Sequence, residues 1–399
     1  MSKKRIKAAD LRGITRLLTD ATIGVTDLVE AMHRRIVHPP FLPSTPIQHL
    51  ITGISGFTFK NVKLVTKLVG SGLDKSLGYL PDAGISLENK GDLLAALNGV
   101  VGDHLENTHN PLAIPMNFKY QGTTISTDAA ELKKTVPAIN GKILLLVHGL
   151  CMNDTQWCRN GHDHGQALAK ELGLTPIYLH YNSGRHISTN GQLLNAMLEQ
   201  LVRHWPVPVD EIVMVTHSMG GLVSRSAVHY GKQAKLTWTK RLKKIIFLGT
   251  PHHGAPLERA GNYIDLILEA TPYAKPFARL GKIRSAGITD LRHGNLLDED
   301  WEGMDRFESP RDQRMPVPLP DGTVCYSIAA TTGKEGSDRP VRIAGDGLVS
   351  VKSALGQHKE ADKNLHFKSS HTSIVYENNH MDLLDCREVY EQMMGWLLE

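Results

Sequence analysis

Glu211-Ile-Val-Met-Val-Thr-His-Ser-Met-Gly-Gly-Leu-Val223 is the stretch on which the fold turns. It opens as a short apolar run rich in β-branched residues. It ends at a corner of small residues, and a helical pattern follows from Gly220 to Tyr230. Strand, tight turn and helix are therefore expected, with Ser218 at the corner. The turn Thr216-His217-Ser218-Met219-Gly220 reads as a nucleophile elbow, G-x-S-x-G, with Thr216 in place of the first glycine. Such a corner strains the serine backbone, so the residues two positions away must be small. Gly220 and Gly221 let strand and helix approach closely. The elbow projects the hydroxyl outward and aims the helix N-terminus at a reacting carbonyl. The bland alternative is an ordinary strand–helix turn that happens to hold a serine.

The flanking sequence extends the pattern in both directions. Lys142-Ile-Leu-Leu-Leu-Val-His148 is a continuous apolar run, the mark of a strand buried on both faces of a parallel sheet. A helix is predicted near 166–172, a strand over Pro176–His180 and a helix over Gln192–His204. Beyond the elbow come strands at Leu242–Gly249 and Thr323–Ala329, a last strand at Leu365–Tyr376 and a closing helix over Leu383–Leu398. Phe118–Ile125 reads as a hairpin turning at Gln121-Gly122. Strands alternating with helices predict an α/β fold: a doubly wound, mainly parallel sheet over residues 116–399. The interval 254–320 is too long for a simple crossover. Its helical pattern at Ala260–Leu280, with Tyr263, Ile264, Ile267 and Leu268, predicts a cap over the serine.

Residues 1–115 read as a helical N-terminal extension. Ile14, Leu18, Ala21, Val25, Leu28, Met32 and Ile36 form one apolar helix face, with Lys3, Lys4, Arg5, Lys7, Arg12 and Arg16 crowding its start. Such a helix either packs on the protein or lies on an anionic lipid surface. A proline cluster from Pro39 to Pro46 breaks it, and further helical patterns follow near Val62–Tyr79 and Leu93–Leu105.

The totals set limits. A chain of 399 residues, 41% hydrophobic and 22% charged, buries a large core. A net charge of +4 without a basic stripe does not imply nucleic-acid binding. No apolar run reaches the ~18–20 residues needed to span a bilayer, and the basic start lacks an apolar signal core. A cytoplasmic protein is expected, with Cys151, Cys158, Cys325 and Cys386 as free thiols.

A serine needs a base, and the base needs a carboxylate to orient it. In this chain order the acid and then the histidine follow the serine. Asp346, in Gly345-Asp-Gly-Leu-Val349, lies on a loop after a late strand; Asp290 and Asp298 are rivals within the cap. His380 lies between the last strand and the last helix, and His371 is its rival. The oxyanion donors are expected to be the backbone amides of Met219 and of Leu150, with Cys151 as the alternative to Leu150. Gly149 permits the bend of that loop, His148 holds it, and His217 either lines the pocket or packs. Among 20 histidines the adjacent pair His252 and His253 has no ligand spacing around it, so no cofactor and no metal is expected.

Together Val147-His-Gly149, Thr216–Gly221, Gly249-Thr-Pro-His-His-Gly254, Gly345–Val349 and Asn379-His-Met-Asp382 resemble the α/β-hydrolases. Within that superfamily they are most similar to bacterial triacylglycerol lipases and the lipase-like glycosylphosphatidylinositol inositol-deacylases. The resemblance covers residues 116–399 and implies Ser218, Asp346 and His380 as a catalytic triad. In some such lipases the position of Asp382 binds calcium, but no second carboxylate is evident here. The expected function is a serine carboxylic-ester hydrolase, a lipase or esterase, acting through an acyl-enzyme on a hydrophobic acyl ester, with a small molecule or a lipid as substrate. Acyl transfer, depolymerisation of an intracellular polyester, and a non-catalytic binding role for the helical extension are the alternatives.

Overall fold

The computed structural model describes residues 8–37, 60, 63–64, 66–67, 71, 90–126, 128–254, 285–304, 312–336 and 345–399. The expected helix at 62–79 and the cap helix at 260–280 lie largely or wholly outside them. The chain divides into two compact units: residues 1–90 with 105–113, and residues 91–104 with 114–399. Segment 91–104, which the sequence groups with the extension, thus packs within the sheet-bearing unit.

In the first unit, helix α1 (Ala8–Val37) carries the expected amphipathic pattern. Gly13 lies against Leu112 and receives a 3.0 Å hydrogen bond on its carbonyl from Asn110 Nδ2. Asp10 pairs with Lys90. Ile14 and Leu18 are nevertheless 46% and 63% exposed. Helix α2 (Lys90–Asn107) follows and departs from helical geometry at Val101.

The second unit begins with the hairpin β1 (Asn117–Tyr120) and β2 (Thr123–Thr124). Gln121 and Gly122 both hold positive φ, 47° and 76°, as a tight two-residue hairpin turn requires. A short helix α3 (Ala129–Thr135), capped by Asp128, leads to β3 (Lys142–Val147). The small hairpin β4 (Cys158–Arg159) and β5 (His162–Asp163) precedes α4 (His164–Leu172), β6 (Thr175–His180) and α5 (Ile187–His204). Then come β7 (Glu211–His217), α6 (Met219–Gln233), α7 (Trp238–Arg241) and β8 (Leu242–Leu248). Helix α8 (Ala286–His293), β9 (Val324–Thr331), α9 (Val351–Ala354), β10 (Thr372–Tyr376) and α10 (Arg387–Leu398) complete the described elements.

The strands form one eight-stranded sheet in the order β10-β9-β8-β7-β3-β6-β1-β2. The six from β10 to β6 are parallel, and β1 joins β6 antiparallel. Ile143 to Val147 on β3 are all fully buried, because helices cover both faces of this central strand. The winding starts at β3, runs to β6 on one side, then crosses to β7 and on to β10. The crevice beyond the C-terminal ends of β3 and β7 is therefore the topological switch point, where open α/β sheets place their ligands. One face of the sheet packs on Trp157, Leu168, Val389, Met393 and Trp396.

Two sequence expectations are corrected. The last strand spans only Thr372–Tyr376, because Ser369–His371 forms a 3-10 turn before it. The closing helix starts at Arg387, since Asp382–Leu384 is a separate 3-10 turn.

On the other face α5 and α6 cross at Gly191, where a Cβ would collide with Ser226 Oγ and lie 2.6 Å from Ser226 Cβ. Alanine is the better helix former, yet the collision prevails. Gly191→Ala should lower stability by about 1–3 kcal/mol in urea unfolding, and Ser226→Gly in the same chain should recover part of the loss.

Candidate active site

Ser218 sits between β7 and α6 with φ 54° and ψ −125°, a conformation that costs a side-chain-bearing residue free energy. Local bonds impose it. The Ser218 amide donates to Leu248 O at 2.9 Å, extending the β7–β8 ladder, while the Ser218 carbonyl already accepts from Gly221 N at 3.0 Å. A Cβ at Gly220 would lie 2.6 Å from His148 O and closer still to Val147 O, so only glycine lets α6 leave the corner across the end of β3. Thr216, the departure from the usual glycine, is fully buried and donates its hydroxyl to Ile246 O on β8 at 3.3 Å. The position tolerates threonine because the hydroxyl finds an acceptor on the neighbouring strand.

Asp346 and His380 meet beyond β9 and β10. His380 Nδ1–H donates to Asp346 Oδ2 at 2.6 Å, and His380 N donates to Asp346 O at 3.1 Å. The other carboxylate oxygen of Asp346 accepts from the amides of Leu348 at 2.9 Å and Val349 at 2.7 Å. These bonds fix the carboxylate in place, and both residues are nearly buried. The His380 ring lies over Gly249, the residue after the Leu248 carbonyl that receives the Ser218 amide: a Cβ there would fall 3.1 Å from His380 Cε1. The imidazole is thereby brought beside the elbow. The rivals are engaged elsewhere. Asp290 accepts from His186 and from Ile187 N, Asp298 accepts from Gln192, and His371 packs on Tyr326.

The loop after β3 closes the other side. A Cβ at Gly149 would lie 3.0 Å from Ser218 Cβ, so its missing side chain serves close approach. The loop's left-handed residue is Cys151, with φ 59°. Cys151 N donates to Ser183 Oγ at 3.1 Å, which leaves Leu150 the better oxyanion candidate. Neither the Leu150 nor the Met219 amide has a protein acceptor among the described residues. His148 is buried and stacks on Tyr181, whose hydroxyl donates to His148 O at 2.8 Å. His217 is also buried; its Nε2–H donates to His380 O at 3.1 Å, anchoring the histidine loop from below. Tyr181 and Ser183 were not singled out from sequence; the small polar run Asn182-Ser-Gly184 after a strand was the available signal.

Asp382 Oδ2 accepts from Asn379 N at 2.8 Å, and its Oδ1 lies 3.4 Å from Arg159 Nη2. A protein cation thus already faces the carboxylate that the resemblance connects with calcium. Asp312, His358 and Glu360 are close enough to share a metal, but Lys363 Nζ sits 2.8 Å from Glu360 and 3.4 Å from Asp312.

Residues 138–317 match the model of the PGAP1-like alpha/beta domain family. The fold follows from the chain's own strand order and elbow corner, which are those of an α/β-hydrolase sheet. The match spans the elbow and the loop after β3 and ends before Asp346 and His380. Among solved structures, the mature lipase BlEst2 of Bacillus licheniformis is similar over 65% of this chain and 93% of its own, at 17% identity and a TM-score of 0.40. The Pyrococcus furiosus esterase Pf2001 is similar over 65% and 82%, at 13% identity and a TM-score of 0.37. A Vigna radiata epoxide hydrolase variant is similar over 65% and 92%, at 11% identity and a TM-score of 0.37. No curated protein matches the chain. No helix among the described residues is long and apolar enough to cross a membrane.

Burial lowers the proton affinity of several histidines: His148 to about 3, and His164 and His253 to about 4. Desolvation of the cation is the main cause in each. The unfolded chain protonates these groups near 6.5, so below that pH it binds more protons than the fold does. The stabilisation is complete above pH 6.5 and is lost as pH falls toward 4, at about 1.4 kcal/mol per pH unit for each group. The urea midpoint should drop steeply across that window, and His164→Gln should flatten the slope. A midpoint independent of pH would show that these rings protonate in place.

Proposed function

We propose that the protein is a serine hydrolase of carboxylic esters that works through an acyl-enzyme. The observation that carries this reading is the Asp346–His380 pair at 2.6 Å, held beside a serine in strained elbow geometry. With its Nδ1–H donated to Asp346, His380 keeps Nε2 as the lone-pair nitrogen. It takes the Ser218 proton as Oγ attacks the carbonyl, and Asp346 stabilises the resulting imidazolium. The Met219 and Leu150 amides hold the oxyanion, each contributing about 3–4 kcal/mol to the barrier reduction. Collapse expels the alcohol with the proton from His380. Water then attacks the acyl-enzyme with His380 again as base. The apolar pattern at 260–280 favours an apolar acyl group, and four free thiols suit a reducing, cytoplasmic setting.

Fluorophosphonate should label the protein at Ser218, and Ser218→Ala should abolish the label and lower kcat on p-nitrophenyl butyrate by at least ~10⁴-fold. Asp346→Asn should cost a comparable factor by disfavouring the correct tautomer. Rates across p-nitrophenyl esters of rising chain length report the acyl pocket; activity confined to acetate would rule out a lipase. A folded wild-type protein that neither labels nor hydrolyses any ester would overturn the proposal.

Exposed Ile14 and Leu18 on α1, behind a basic start, favour contact with an anionic lipid surface that presents the substrate. The protein should co-float with phosphatidylglycerol-rich vesicles in low salt. Ile14→Ser with Leu18→Ser should weaken that binding several-fold while leaving hydrolysis of soluble esters intact.

A further inference from the structure

Helix α2 touches three loops that surround the C-terminal end of the sheet. On the loop after β3, Asn153 Nδ2 donates to Asp92 at 2.7 Å and Cys151 Sγ lies 3.7 Å from Ala96 O. On the loop after β6, Asn182 Nδ2 donates to Gly102 O at 2.9 Å. At the start of α8, Ser285 Oγ donates to Gly99 O at 2.6 Å and Ala286 N donates to Asp103 Oδ2 at 3.0 Å. Gly102 abuts Asn182 on the loop after β6, and Gly99 abuts the loop after β3. A Cβ at Gly99 would collide with Cys151 Sγ and lie 3.0 Å from both Cα and N of Cys151.

Cys151 is the residue that bends the loop. It is fully buried, holds φ 59° and follows Leu150 directly. Its amide is tied to Ser183 on one side, and its side chain is pressed on the helix on the other. Nothing in residues 148–151 makes a left-handed bend at a cysteine favourable by itself, since a side chain disfavours positive φ. The bend persists because its surroundings enforce it. Cys151 follows Leu150 directly, so a shift of the Cys151 backbone displaces the peptide that carries the Leu150 amide.

We propose that α2 is a positioning element of the oxyanion hole, with Gly99 as the positioning residue and Cys151 as the residue through which it acts. The inference rests on the reading of Leu150 and Met219 as oxyanion donors. It gives segment 91–104 a task in catalysis, although the sequence groups that segment with the extension. The glycine is required because the helix backbone must touch the loop backbone, and the contact sets where the loop stops.

Gly99→Ala places a methyl group against Cys151 and pushes the loop away from Ser218. A displaced donor acts only on the charged intermediate, so kcat should fall at least tenfold with KM within threefold of wild type. The midpoint of the pH–rate profile should stay where it is, because Ser218, His380 and Asp346 are untouched. Cys151→Gly removes the colliding sulfur and accepts positive φ, so the Gly99→Ala/Cys151→Gly chain should recover at least a third of the lost log kcat. Circular dichroism and thermal melting verify folding. Should Gly99→Ala not fold, Ser285→Ala frees the helix without a clash and should lower kcat about threefold, again with an unmoved pH midpoint. Wild-type kcat in folded Gly99→Ala, a shifted pH midpoint, or no recovery in the double variant would overturn the inference. A wild-type enzyme that ignores fluorophosphonate would instead overturn the ester-hydrolase reading on which it rests.

Discussion

The backbone of Ser218 is the constraint on which the site depends. A residue with a side chain at φ 54° costs on the order of 1–3 kcal/mol. That cost is met by the ladder bond to Leu248 and by the packing of Gly220 onto the carbonyls that end β3. Those two contacts come from the strands on either side of β7. The elbow is thus a property of three adjacent strands in register, and its geometry is as rigid as the centre of the sheet.

Around this corner the protein keeps imidazoles in a dry environment. His148 and His217 are buried, and desolvation of the cation outweighs the one carboxylate, Asp154, that favours protonation of His148. Burial keeps both neutral, so each donates one hydrogen bond to a backbone carbonyl and fixes a loop. His380 differs in having Asp346 on its Nδ1. One residue type thereby serves two ends: neutral struts under the site, and one ring equipped with a carboxylate.

Much of this was readable from the sequence because it depended on local pattern. The buried strand at 142–147, the elbow and the Gly-Asp-Gly loop each carry their signal within a few residues. The chain order of acid and base followed from strand counting. What could not be read was non-local. Nothing near Lys90–Asn107 signals that Gly99 abuts Cys151, since that contact joins segments about fifty residues apart through the fold. The left-handed backbone of Cys151 was hidden for the same reason, because no turn residue marks it. The short start of β10 was misread because Leu365–Tyr376 is apolar enough to suggest a longer strand, whereas Ser369–His371 turns.

The hairpin of β4 and β5 has a consequence for the order in which the molecule is made. Its Arg159 faces Asp382 across 223 residues of sequence, and Asn160 bonds Asp385 across 225. The strands that hold the elbow are in place once β8 exists, but His380 arrives with the segment past Tyr376. A nascent chain therefore displays the corner without His380 beside it. The candidate triad proposed above is assembled from both ends of the catalytic unit, and the hairpin holds the late segment through Asp382 and Asp385.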